Sequence, residues 1–164
     1  EAAESLDADI IVDVQGDEPL IYPETIDTLV SNFKLSSFDI MLPYIEINDT
    51  NNVNIVKIST VGKKIIYMSR MDIPCPFSQD RKLKKHLSII AFTVSALRKY
   101  SHMKKSELEK IESIELLRAL ESGLEIGTFQ ESKESFSVDV IEDYHRANRY
   151  MRDDKVYKRY RLVQ

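Results

Sequence analysis

The sequence has few of the residues that mark secreted, membrane-spanning or disordered chains. It contains one cysteine, Cys75, so neither an internal disulfide nor a cysteine-based zinc cluster can form. No apolar run approaches the roughly 18 residues of a membrane-spanning helix, and the acidic N-terminus is unlike a signal peptide. Four glycines and five prolines leave little room for flexible linkers. We therefore expect a soluble globular protein, located in the cytoplasm.

Length and charge narrow the possibilities further. The 27 acidic and 23 basic residues give a net charge of −4, which argues against general binding to nucleic acid or anionic membranes. A chain of 164 residues can bury a sizeable core as one domain. We place that domain at residues 1–152 and expect a charged, exposed helical extension at 153–164. Residues 1–8 resemble the end of a helix, so the chain is expected to open within a domain.

The most informative stretch is a strand followed by an acidic loop. The β-branched run at residues 9–14 predicts a strand buried on both faces, and the turn residues of 15–19 end it. Ligands of open α/β sheets bind beyond the carboxyl ends of such strands. Three acids, Asp13, Asp17 and Glu18, could hold a hard cation such as Mg²⁺ together with phosphates. The alternative is a turn whose acids face solvent.

The remaining periodicities predict an α/β domain with a mostly parallel sheet and an antiparallel insertion at residues 55–77. Ser106 and Glu109 form a capping-box pattern at the start of a helix that we expect to run to Ser122. Pro43 suggests that its strand lies at an edge or a bulge. The predicted helices are 23–35, 95–103, 106–122 and 142–152, and the predicted strands are 9–14, 39–47, 55–60, 64–68, 86–92, 124–129 and 136–139.

Two acids at strand ends and two basic side chains are candidates for chemistry. Asp17 and Asp139 each follow a predicted strand and precede a helix, and such a pair can hold Mg²⁺ against phosphate oxygens. Asp139 could instead be a helix N-cap. Arg70 and His86 could bind a sugar or a carboxylate. Their alternatives are a surface salt bridge for Arg70 and a histidine satisfied by backbone groups for His86.

Three glutamates recur three residues apart on the predicted helix at 106–122. They are Glu109, Glu112 and Glu115, and most acids in such positions are solvated. One that lies beside the apolar stripe could reach a polyol substrate. The sequence has neither a P-loop nor a G-x-G-x-x-G motif, and no Ser-His-Asp order stands out.

Seven short motifs occur in an order that we recognise as a set. They are Val14–Ile21 (VQGDEPLI), Asn54–Lys57 (NIVK), Ile66–Arg70 (IYMSR), Ile73–Pro74, Lys85–Leu87 (KHL), Ile111–Leu120 (IESIELLRAL) and Val138–Asp143 (VDVIED). Over about residues 1–150 the sequence resembles the 3-deoxy-manno-octulosonate cytidylyltransferases, the CMP-Kdo synthetases.

The resemblance implies an α/β nucleotide-sugar transferase fold that dimerises through the inserted β region, here residues 55–77. It implies a cytidylyltransferase that joins CTP to a 2-keto-3-deoxy sugar acid, Kdo, with release of pyrophosphate. Such an enzyme requires Mg²⁺ and serves lipopolysaccharide or surface-glycan synthesis. Asp17 and Asp139 would be the catalytic metal ligands. The side chains expected to contact the sugar are Gln15, Arg70, His86 and Glu115.

The chain also departs from the family. The family's N-terminal loop that holds the triphosphate is absent, so we expect this segment alone to bind CTP poorly and to be inactive. Ile90 stands where the family usually has tyrosine, and Leu116 where it often has glutamine. Losing two hydrogen-bonding groups suggests a modified Kdo-like sugar or another 2-keto acid as the substrate. The alternative is a non-catalytic, dimerising remnant that has lost CTP binding. A transferase for another nonulosonate, such as a sialic-acid-like sugar, is a second alternative.

Overall fold

The computed structural model describes residue 3 and residues 7–48, 51–75, 77 and 82–161. Much of the predicted N-terminal helical tail therefore lies outside the described residues. The elements are β1 (Ile10–Val14), α1 (Pro23–Lys34), β2 (Ile40–Ile47), β3 (Lys57–Val61), β4 (Lys64–Ser69), β5 (Leu83–His86), β6 (Ile89–Thr93), α2 (Val94–Ser101), α3 (Glu107–Glu112), α4 (Leu116–Glu121), β7 (Ile126–Gln130), α5 (Ile141–Met151) and α6 (Lys155–Arg161).

The strands form one seven-stranded sheet in the order β1-β6-β2-β5-β3-β4-β7, with β7 also paired to β2. This confirms the α/β class and the antiparallel hairpin of β3 and β4. The expectation of a mostly parallel sheet is wrong, because among the described pairings only that of β2 with β7 is parallel. The apolar run at residues 9–14 does not fix the direction of its strand. Its predicted burial on both faces is also wrong, because β1 is at the end of the strand order and its residues are half-buried or exposed.

Strand β2 is central, although it carries Pro43. One of its edges pairs with β7, and the other pairs first with β6 and then with β5. The pairing on the second edge skips Leu42 and Pro43, and there the backbone N–H of Leu87 donates to the Pro43 carbonyl at 2.9 Å. The missing N–H of proline therefore falls in a gap between two ladders. The predicted strand at 86–92 is split into β5 and β6 at the same point.

The two faces of the sheet pack two separate apolar clusters. Ile40 and Leu42 belong to the larger cluster, which α2, α3 and α4 cover, whereas Met41 faces the opposite way. The second cluster contains Leu29 and Phe33 of α1 together with residues of β6 and β7. Successive side chains of β2 point to opposite faces of the sheet, so each face carries apolar groups that pack against helices.

The predicted helix at 106–122 is two helices. Its capping box is confirmed, since Ser106 Oγ accepts from the Glu109 N–H and the Glu109 carboxylate accepts from the Ser106 N–H, each at 3.3 Å. Ser113 then adopts a left-handed conformation with φ of 53°, which ends α3 before α4 begins at Leu116. Gly123, with φ of 82°, follows α4 as expected.

The C-terminal part agrees with the sequence in its helices but not in its last strand. Helix α5 lies close to its predicted bounds, and α6 is an exposed helical extension as expected. Residues 131–140, which we name the 131–140 loop, form no strand.

Lys57 is a fully buried cation at the base of the β3–β4 hairpin. Its Nζ donates to the carbonyl oxygens of Asn52 at 2.7 Å and Ile55 at 3.0 Å, and also to that of Arg70. The Asp72 carboxylate lies 3.4 Å away. Lys57 therefore ties together the chain entering and leaving the hairpin.

We expect Lys57→Met to lower the free energy of unfolding by about 3 kcal/mol, because it leaves Asp72 and three carbonyls without their cation. Urea denaturation of the variant and the wild type measures this loss. The control is Lys64→Met, which removes an ion pair between half-exposed side chains, Lys64 and Glu125, and should cost under about 1 kcal/mol. Equal losses in the two variants would contradict the assignment.

Candidate functional site

The loop after β1, residues 15–19, is held against the 131–140 loop. We name residues 15–19 the acidic loop. The backbone N–H of Val138 donates to the Asp17 carbonyl at 2.8 Å. The Ser135 hydroxyl donates to the carboxylate of Glu18, and both side chains are buried. Glu18, predicted to be one of three cation-binding acids, therefore anchors the loop instead.

These contacts bring Asp17 into the neighbourhood of Asp139, since Asp139 directly follows Val138. Both aspartates are exposed, and Asp139 follows a loop instead of the predicted strand. Asp139 is not the N-cap of α5, because that position belongs to Val140. The Asp143 carboxylate instead accepts from the N–H groups of Asp139 and Val140, at 3.3 Å each.

The carboxylates of Asp17 and Asp139 are chemically suited to a hard cation. The Asp17 carboxylate has no hydrogen-bond partner among the described residues, and Asp139 Oδ2 accepts only from the Ser137 hydroxyl at 2.7 Å. Within the described ranges no three acidic, histidine or cysteine side chains form a metal-binding group. Magnesium commonly takes one or two protein carboxylates and completes its shell with phosphate and water. Binding of Mg²⁺ by Asp17 and Asp139 stays a prediction.

A cavity of about 210 Å³ opens next to the acidic loop. Three of the four residues predicted to contact a sugar, Gln15, His86 and Glu115, line it together. Its complete lining is Asp13, Gln15, Val56, Met68, His86, Ile90, Phe92, Tyr100, Ser113, Ile114, Glu115 and Leu116. The structure thus gathers residues from β1, β4, β5, β6, α2 and the break between α3 and α4. We refer to this space as the cavity.

Two polar side chains in the lining of the cavity, an amide and a carboxylate, are hydrogen-bonded to each other. Gln15 Nε2 donates to Asp13 Oδ2 at 3.0 Å. Asp13, first considered as a possible cation ligand, therefore lies with Gln15 in the lining of the cavity. The two departures from the family, Ile90 and Leu116, also lie there and present aliphatic surface.

His86 is a neutral side chain in this cavity. Burial lowers its pKa from the usual 6.5 to about 4, and the positive charges of Lys85 and Arg70 also lower it. The contact of Nδ1 with the Leu87 carbonyl at 3.2 Å raises the pKa but does not offset burial. A neutral ring whose Nδ1 donates to a carbonyl carries a lone pair on Nε2. His86 can therefore accept a hydrogen bond from a hydroxyl.

Arg70 is not among the lining residues of the cavity. Its guanidinium donates to the backbone carbonyls of Glu112 at 2.8 Å, Val53 at 3.0 Å and Ser113 at 3.2 Å. It thereby holds the break between α3 and α4, next to Glu115. A direct contact of Arg70 with substrate stays a prediction.

The three glutamates have three different roles. Glu109 is buried and forms a two-pronged ion pair with Arg118, with distances of 2.7 and 2.8 Å. This pair lowers the pKa of Glu109. Glu112 accepts from the Ser69 hydroxyl at 2.7 Å and from the Arg70 N–H at 2.9 Å. Only Glu115 lines the cavity.

Sequence reasoning missed Tyr100, which also lines the cavity. Its position on α2, far from every motif quoted above, gave no signal. In the described part of the chain, no helix has the length and apolar character needed to cross a membrane.

Comparison with known proteins first defines the class. A solved structure of CMP:2-keto-3-deoxy-manno-octonic acid synthetase complexed with CTP matches with a TM-score of 0.88 and 27% identity, over 93% of this chain and 65% of that one. The inositol-1-phosphate CTP transferase from T. maritima shares the fold alone, with a TM-score of 0.58 and 17% identity, over 87% of this chain and 54% of that one. The chain therefore has the fold of the CMP:2-keto-3-deoxy-manno-octonic acid synthetase structure.

The sequence then gives the family. The family model described as cytidylyltransferase matches residues 1–126, and the chain belongs to that family. The 3-deoxy-manno-octulosonate cytidylyltransferase of Acidobacterium capsulatum is 31% identical over 93% of this chain and 64% of its own length. That of Leptospira interrogans is 37% identical over 84% of this chain and 60% of its own length. The chain thus spans less than two thirds of these relatives.

We expect the stability of the chain to fall at acid pH because of His86. Its folded-state pKa lies below the unfolded value, so the unfolded chain binds the proton first and stability is lost as pH falls from 6.5 toward 4. Between pH 7 and pH 5 the wild type should lose about 1 to 2 kcal/mol more than His86→Asn, whose amide can still donate to Leu87.

Urea denaturation at each pH measures this difference. His102→Asn is the control, because His102 is exposed and outside the cavity, and it should keep the wild-type dependence. Parallel stability curves for the wild type and His86→Asn would contradict a neutral, half-buried His86.

Proposed function

We propose that the full-length protein transfers CMP from CTP to a 3-deoxy-2-keto sugar acid, Kdo or a Kdo-like sugar, and releases pyrophosphate. One observation carries the proposal: the acidic loop is fixed beside Asp139, next to a cavity that Gln15, His86 and Glu115 line together. The named activity of the relatives supports the same reaction. The reaction would take place in the cytoplasm and supply lipopolysaccharide or surface-glycan synthesis.

The chemistry proposed for the two aspartates is electrostatic. Asp17 and Asp139 would hold Mg²⁺, which when bound neutralises phosphate charge and favours departure of pyrophosphate. Their carboxylates are exposed and available, whereas Glu18 is committed to Ser135. The hydrogen bond from the Val138 N–H to the Asp17 carbonyl joins the two loops that carry these aspartates.

The proposed role of the cavity is to orient the sugar. Neutral His86 and the Glu115 carboxylate accept hydrogen bonds from sugar hydroxyls, and the Gln15 amide lies beside them. The anomeric hydroxyl oxygen then attacks the α-phosphorus of CTP and releases its proton to solvent water, while the bond from that phosphorus to the pyrophosphate oxygen breaks. Positioning of the two substrates is the main requirement, and no protein nucleophile is needed.

The lining also bears on which sugar is bound. Ile90 and Leu116 present aliphatic carbon where hydroxyl and amide groups occur in the family. Burying a sugar hydroxyl against such a wall without a partner costs about 1 to 3 kcal/mol. This favours a second candidate, a cytidylyltransferase for a modified Kdo or a sialic-acid-like sugar. Pyrophosphate release from CTP with a panel of keto-acid sugars distinguishes the candidates, and no release with any of them would favour the non-catalytic remnant.

We expect Asp17→Asn and Asp139→Asn each to lower kcat about 100-fold or more, because each removes charge next to the transferring phosphate. Magnesium-dependent pyrophosphate release by the full-length protein measures the loss. Asp27→Asn, an exposed change on α1, is the control and should leave the rate unchanged. Wild-type rates in either variant would refute the proposed metal site.

We also propose a homodimer that forms through the inserted β region at residues 55–77. Val61, Ile66 and Met71 are large apolar side chains in this region with more than half of their surface exposed, at 68%, 52% and 64%. Exposed apolar groups gathered on one hairpin are typical of a surface that a partner covers.

Ile66→Asp should shift the chain to the monomer mass of 19.0 kDa, because a charge in an apolar interface is left unpaired. Light scattering after size-exclusion chromatography measures the mass. Ile111→Asp, at a residue 76% exposed on α3, is the matched control and should leave the dimer intact. Dimers that persist in Ile66→Asp would rule out this interface.

A further inference from the structure

The hydroxyl of Tyr100 forms no hydrogen bond with the described residues of the protein. The side chain lines the cavity, and no described residue hydrogen-bonds to its hydroxyl. Burial raises the pKa of Tyr100 to about 12, against the lowering effect of Arg118, and the charges of Glu115, Glu109 and Asp13 raise it as well. The phenol is therefore protonated near neutral pH and can donate a hydrogen bond. Glu115 and Asp13 line the same cavity as Tyr100.

The ring of Tyr100 is fixed by contacts on the side of the larger core cluster. The Phe92 ring centroid lies 5.8 Å away, and the Arg118 guanidinium lies 4.9 Å from the Tyr100 ring centroid. Arg118 is itself held by its two-pronged ion pair with buried Glu109. Glu109 in turn closes the capping box on Ser106. These contacts hold the ring of Tyr100 in place and leave its hydroxyl able to form a hydrogen bond with a ligand.

We propose that the Tyr100 hydroxyl donates a hydrogen bond to an oxygen of the bound sugar and is a specificity-determining residue of the cavity. The inference rests on the proposed function. Ile90 and Leu116 leave the wall without two polar groups, and Tyr100 supplies one hydrogen-bonding group from α2 instead. His86 Nε2 and Glu115 accept hydrogen bonds, so a donor at Tyr100 complements them. A sugar hydroxyl can accept from Tyr100 and donate to one of the acceptors.

The test is Tyr100→Phe in the full-length protein, which removes one oxygen and keeps the ring. The KM of the preferred keto-acid sugar should rise about tenfold, which is the equivalent of one lost hydrogen bond. The KM of CTP and the melting temperature should stay unchanged. Tyr144→Phe, on the exposed face of α5, is the matched control and should alter none of the three.

A second variant separates contact with the sugar from a structural role. Adding Ile90→Tyr to Tyr100→Phe returns a hydroxyl to the cavity from β6 and should lower the sugar KM again. An unchanged sugar KM in Tyr100→Phe, or an equal rise in the KM of CTP, overturns the inference while the proposed function stands. A wild-type protein that turns over no keto-acid sugar overturns the proposed function, and the inference with it.

Discussion

The candidate site depends on the contact between the acidic loop and the 131–140 loop. Neither loop has regular secondary structure to hold it, so two hydrogen bonds carry the junction, one to the Asp17 carbonyl and one to the Glu18 carboxylate. The second is buried, and a buried carboxylate without its partner is costly. Because Glu18 is fixed in this way, its neighbour Asp17 can remain exposed without a partner of its own. Of the two acids in the acidic loop, Glu18 stabilises the structure and Asp17 is exposed to solvent.

The cavity arises where regular structure is interrupted. The ladder between β2 and its neighbours breaks opposite Pro43, and this break separates His86 on β5 from Ile90 on β6. The helical layer breaks at Ser113, whose left-handed backbone separates α3 from α4 beside Glu115. Unusual backbone conformations of this kind persist when surrounding contacts hold them, and they concentrate at functional sites. Here Arg70 provides those contacts, by donating to the carbonyls of Glu112 and Ser113.

Sequence patterns predicted the parts of the fold that depend on local energetics. The proline at the start of α1 and the capping box at Ser106 are signals within one turn of a helix, and both were reliable. The break at Ser113 was missed because the apolar spacing continues through it, and the contact of its carbonyl with Arg70 joins residues far apart in the sequence. The directions of the strands were also missed, because they depend on pairings between residues that are far apart in the sequence. The resemblance predicted Gln15, His86 and Glu115 as sugar contacts, and the structure shows that all three line one cavity. Nothing local in the sequence marks Tyr100, whose place in the lining depends on how α2 packs.

The distribution of charge around the cavity defines what it can recognise. Arg70 donates to backbone carbonyls and Arg118 is paired with Glu109, and neither residue is part of the cavity lining. Within the lining, the charged groups are Asp13 and Glu115, and His86 is neutral. An anionic group finds no positive charge in this lining, whereas the hydroxyl groups of a sugar find hydrogen-bond acceptors. The cavity is therefore suited to the polyol part of the proposed sugar. Its carboxylate is better accommodated at the rim, where a cation held by Asp17 and Asp139 would offset its charge.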